Sequence, residues 1–121
     1  MTLLHITGDI TEQNLDVIVH QTNTVLRGVN KAKGLAKVLF DRFPYSNVYR
    51  EASATTEPGA ILVRKPRGHP HNPIVVGING QTTLGRSRSV KEKQERLRYF
   101  QTGLVKLLPV LQELSAQGGT A

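Results

Sequence analysis

Apolar residues in this chain fall into short runs over the first two thirds and at helical spacing over the last third. Residues 3–7 read as a strand closed by Gly8-Asp9, a pair that lets backbone come close to whatever lies beside the turn. Val17-Ile18-Val19-His20 is a continuous β-branched run, the pattern of a strand covered on both faces by helices. Ala60-Ile61-Leu62-Val63 follows the turn Glu57-Pro58-Gly59, and Ile74-Val75-Val76 reads as a fourth strand. Polar residues follow two of these runs: Gln21-Thr22-Asn23-Thr24 after the second, and Gly77-Ile78-Asn79-Gly80-Gln81 from the fourth. Open α/β sheets place their ligand crevices at such C-terminal strand ends, so the search for a site starts there.

Residues 34–43 read as a helix with Leu35, Val38, Leu39 and Phe43 on one face, stopped by Pro44. Residues 47–54 suggest a second, short helix. A long helix is expected over residues 90–117, its stripe of Leu97, Phe100, Leu104, Leu107, Leu108, Leu111 and Leu114 facing the core. Pro109 removes a backbone donor and crowds the preceding turn, which predicts a kink or break. Strands alternating with helices give an α/β class, and 121 residues allow one domain with one core.

Hydrophobic residues at 38% and charged ones at 21% are ordinary globular usage. The absence of cysteine removes disulfides, thiolate zinc sites and cysteine nucleophiles together. His69-Pro70-His71 has no further ligand nearby and reads as an exposed connection, so neither a metal nor a cofactor is expected. No apolar run approaches the ~18 residues of a membrane span, and the start lacks a basic and then apolar leader. The expectation is an intracellular protein, cytoplasmic or nuclear, without a membrane partner. The net charge of +7 changes the picture once located: nine cations and two anions between residues 64 and 98 account for all of it. Such a segment steers anionic partners inward or binds the phosphates of nucleic acid. Residues 27–33, with Gly28, Asn30 and three cations, lead into the first helix, and a basic loop before a helix N-terminus suits a diphosphate.

In order along the chain, these pieces resemble a macro domain. Ile6-Thr7-Gly8-Asp9-Ile10-Thr11 is similar to the family's first-strand motif, and Asp16-Val17-Ile18-Val19-His20-Gln21-Thr22-Asn23 to its second strand ending in asparagine. Lys33-Gly34-Leu35-Ala36-Lys37 with Phe43-Pro44-Tyr45 resembles a macro-like branch, viral members included, in which lysine or histidine precedes Gly-Leu-Ala. Pro58-Gly59, the segment 77–81 and Glu95-Arg96-Leu97-Arg98-Tyr99-Phe100 continue the likeness over almost the whole chain. The resemblance implies a single macro-domain-like, three-layer α/β/α fold over residues 1–121, with a mixed sheet. In that branch a strand, a Gly-Cys-Gly-Leu type loop and a further helix follow the long helix. No such residues follow Gly118-Gly119, so a C-terminally shortened fold is expected, with an uncovered strand edge that a homodimer would satisfy.

The resemblance also implies the ligand and its contacts. ADP-ribose, a derivative of it, or an ADP-ribosylated protein would be the partner, with Asp9 accepting from the adenine amine and Gly8 and Ile10 beside the base. Lys33, Gly34 and Leu35 would approach the diphosphate, and Gly80 and Gln81 the distal ribose or terminal phosphate. Asn23 would bind the distal ribose; without the resemblance, capping of its own backbone is an equal expectation. Hydrolysis at that ribose would use water positioned by Asn23 with His20 or Gln81, and His20 has a suitable ordinary pKa of about 6.5. A reader of ADP-ribose without turnover needs no such base. The third class is a basic module for RNA or poly-ADP-ribose, which only Tyr99 and Phe100 could supply with stacking inside the basic segment.

Overall fold

The computed structural model describes residues 16–28, 32–66 and 71–116. The strand expected at residues 3–7, the contacts expected of Gly8, Asp9 and Ile10, and His69 lie outside the described residues. The chain runs β1 (Val17–Asn23), α1 (Gly34–Arg42), two single-turn 3-10 helices (Pro44–Ser46 and Val48–Arg50), β2 (Ile61–Arg64), β3 (Ile74–Gln81) and α2 (Val90–Ala116). The sheet order is β1-β3-β2, with β1 parallel and β2 antiparallel to the central β3, so the fold is a mixed α/β arrangement. Among the described residues β1 pairs on one side only. No helix among them is long and apolar enough to cross a membrane.

β1 and β3 reach further than their apolar runs. Pairing continues from Val17 opposite Ile74 to Asn23 opposite Gln81, because ladder hydrogen bonds join main-chain groups and tolerate polar side chains where a partner strand is present. The short helix expected over 47–54 is instead the two 3-10 turns, the second capped by the Asn47 side chain accepting from the Tyr49 N–H.

On one sheet face Ile18, Leu62 and Val75 meet Leu39, Phe40 and Phe43 of the α1 region together with Val48 and Tyr49. The inward face of α1 differs from the expected one. Leu39, Phe40 and Phe43 are buried, whereas Leu35 and Val38 are about half exposed. α1 is rolled so that Phe40 sits edge-on between His20 and Tyr49, and that ring cluster decides which side faces in.

Alternation along β3 sends Val76 and Ile78 to the opposite face, where both are fully buried. α2 seats there through Gly103, whose missing side chain lets the helix backbone close on Ile78. This contact also overturns part of the expected stripe: Leu107 is buried, but Leu97, Leu104 and Leu108 are exposed. A helix gripped at its glycine turns the residues flanking that line outward. α2 is also not broken at Pro109, which is exposed, so water can satisfy the carbonyl freed one turn earlier. A Cβ at position 103 would overlap the Ile78 side chain. Gly103→Val is therefore expected to lower stability by about 1–3 kcal/mol through overpacking. An unchanged urea midpoint would show that α2 does not rest on the sheet at this point.

Candidate functional site

The parallel pair β1 and β3 end side by side, Asn23 opposite Gln81, with a register shift between Thr22 and Asn23. Alternation alone would point Asn23 away from the side shared by Ile18, His20 and Thr22. The extra residue of that shift, Gly80, lies on β3; Asn23 ends β1, and its side chain nonetheless reaches Tyr49 of the core on that same side. α1 begins beside these strand ends. Lys33 is its N-cap in extended conformation with no side-chain cap bond, and no acidic residue stands in the first turn. The first amide N–H groups of α1 thus lack a capping side chain and present partial positive charge. Gly34 starts the helix at φ 62 with nothing within 4 Å of where a Cβ would stand, a left-handed backbone that favours glycine.

Between the strand ends and α1 lies a cleft of about 750 Å³. His20, Asn23, Lys33, Leu35 and Gln81 line it, so five expected site residues from three separate segments come together. Gly34 stands at the helix start beside them. Gly80 does not line the cleft: it is buried, with the Gln21 side chain packed over it.

The roles of three residues are narrower than expected. Asn23 Oδ1 accepts from the N–H groups of Val25 and Leu26 at 2.9 and 3.0 Å, and Nδ2 donates to the Tyr49 hydroxyl at 3.1 Å. The backbone-capping role is therefore the one observed, which leaves the second Nδ2 hydrogen for the cleft. Gln81 donates to the carbonyls of Thr83 and Gly85 and so holds the loop that brings Leu84 and Gly85 to the rim. Arg96 fastens the same loop from α2, donating to the Gly85 carbonyl and to Thr83 Oγ1 while paired with Glu92 at 3.1 Å. His20 is 5% exposed and packs edge-on against Phe40. Burial lowers its pKa from 6.5 to about 4, so its ordinary pKa does not survive folding and the ring is neutral at pH 7.

Two residues central to the site went unassigned in the sequence. Asn79 is fully buried and joins four partners: its Oδ1 accepts from Thr22 Oγ1 at 2.7 Å and Arg27 Nη2 at 2.6 Å, and its Nδ2 donates to the carbonyls of Thr55 and Glu57. A polar side chain inside an apolar strand was the available signal, since buried amides are almost always bonded. Tyr49 lines the cleft, carries the Arg27 guanidinium over its ring at 5.2 Å, and accepts two hydrogen bonds from Asn23. Nothing local in the sequence marks it. Arg27 is thereby committed to Asn79, the Thr55 carbonyl and the Tyr49 ring, and is not a free cation of the loop.

The described lining of the cleft contains no carboxylate, while Lys33 and the α1 amides give it positive character. Among the described residues no group of three or more side chains could hold a metal ion. No family model, curated protein or solved structure matches the chain.

Proposed function

We propose that this cleft binds ADP-ribose or an ADP-ribose derivative, with the diphosphate against the start of α1 and the distal ribose near Asn23 and Gln81. The observation that carries this reading is the meeting of His20, Asn23, Lys33, Leu35 and Gln81 at one uncapped helix start beside two parallel strand ends. On this reading the fold is a macro-domain-like α/β/α arrangement, with α1 and α2 on opposite faces of the mixed sheet, and Asp9 with Ile10 completes the adenine side. The activity is binding without efficient turnover. The described lining offers no carboxylate base, and a histidine of pKa about 4 takes a proton poorly at pH 7.

Calorimetric titration with ADP-ribose, run beside a turnover assay on ADP-ribosylated protein, tests both parts. The expected result is saturable heat and no rapid release of ADP-ribose. Absence of saturable heat overturns the binding reading, and rapid release lost on Gln81→Ala overturns the binder. Lys33→Glu reverses the charge at the cleft mouth and removes a charge-assisted contact of about 1.5–3 kcal/mol, so affinity is expected to fall roughly 10–150-fold. Unchanged affinity would move the diphosphate away from α1.

A second reading has its own observation. Arg86, Arg88, Lys91, Lys93 and Arg98 are all exposed along the last loop and the first half of α2, a surface suited to nucleic-acid phosphates. Competition decides between them: an oligonucleotide that binds in low salt without displacing ADP-ribose occupies this face, and one that binds where ADP-ribose does not makes the basic module the function.

A further inference from the structure

We infer that the Tyr49 hydroxyl is a direct hydrogen-bond donor to an oxygen of the ligand, a ribose hydroxyl or phosphoryl oxygen, inside the cleft. The inference rests on the ADP-ribose reading and adds a recognition residue to it. The argument begins at Asn23. Its Oδ1 accepts from two main-chain N–H groups, so the orientation of the amide is settled and the atom facing Tyr49 at 3.1 Å must be the Nδ2 donor. The main-chain N–H of Asn23 reaches the same phenolic oxygen, also at 3.1 Å. Both incoming groups only donate, and a hydroxyl has two acceptor lone pairs and one hydrogen. Tyr49 therefore accepts twice and still has its own hydrogen to place.

Among the described residues that hydrogen has no acceptor, although Tyr49 is only 2% exposed. A buried hydroxyl hydrogen without a partner is unfavourable, and Tyr49 lines the cleft, so the free direction for it is toward a ligand. Burial raises the Tyr49 pKa above its ordinary value, which keeps the phenol protonated as a donor, while the Asn23 N–H and Arg27 act against that rise. The Arg27 guanidinium over the ring draws electron density from the phenol, and its bonds to Asn79 Oδ1 and the Thr55 carbonyl hold it there. Lys33 and the α1 amides are donors too, so this end of the cleft selects a group rich in acceptor oxygens.

Tyr49→Phe removes the hydroxyl and is expected to weaken ADP-ribose binding at least about tenfold, the scale of one lost hydrogen bond left unreplaced. That variant also frees Asn23, so it does not separate contact from support. Site-specific 3-fluorotyrosine at position 49 does, because fluorination makes the phenol a stronger donor and a weaker acceptor. A donated bond to ligand predicts severalfold tighter binding of ADP-ribose by calorimetry. A role confined to holding Asn23 predicts weaker or equal binding. If the unaltered chain binds ADP-ribose and the fluorotyrosine protein binds no tighter, the inference alone is overturned; if the unaltered chain does not bind, the ADP-ribose reading fails and takes the inference with it.

Discussion

Asn79→Ala is expected to lower stability by about 3–5 kcal/mol, because it strips partners from a cation, a hydroxyl and two carbonyls at once. Asn79 is fully buried near the C-terminal end of β3, where its main chain also binds Gly59 and Ala60. Its Oδ1 is the acceptor for Arg27 Nη2, and the neighbouring Nη1 is already buried without a partner among the described residues. Removal leaves a guanidinium that burial disfavours, its pKa already lowered mainly by desolvation. Arg27→Met deletes the charge and should by itself be milder. The double variant should then be less destabilised than the two single effects added together, since the stranded cation no longer exists. Urea denaturation of the three proteins measures this, and strict additivity would show that Arg27 and Asn79 do not depend on each other.

The same network explains how far the sequence could be read. β-branched runs and helical spacing located β1, β3, α1 and α2, because local pattern reflects which faces are covered. The roll of each helix was not legible. α1 turns on the packing of Phe40 between two rings, and α2 on the absence of a side chain at Gly103, and both depend on partners in other elements of the chain. The strand-end residues His20, Asn23 and Gln81 and the helix start at Lys33 were legible as cleft residues because such positions gather at one sheet end. What each atom does there was not. Asn23 reaches the cleft side from the last position of β1, against simple alternation, and its amide is divided between its own backbone and Tyr49, a residue 26 positions later. Burial of His20 agrees with the reading of residues 17–20 as a covered strand, but that Phe40 of α1 is what packs on the ring could not be read from β1.

That burial gives His20 a measurable signature. In the folded chain its pKa is about 4, against 6.5 for the free side chain, and the cause is desolvation. Because the folded value is depressed, the unfolded chain binds the extra proton between these values and stability rises with pH across the window. The stabilisation is complete above pH 6.5 and is lost as pH falls toward 4. A difference of this size corresponds to roughly 3 kcal/mol over the whole interval. Carboxylates begin to titrate at the lower end, so the clean comparison lies between pH 7 and 5. Unfolding free energies of the unaltered chain and of His20→Gln should diverge there, the first falling with acid and the second staying nearly flat. Parallel slopes would mean that the imidazole is hydrated or paired and keeps its ordinary pKa, which would restore it as a candidate base. The expected divergence instead fixes a neutral ring in the wall of the cleft at pH 7, so the positive character that meets an anionic ligand comes from Lys33 and the α1 amides.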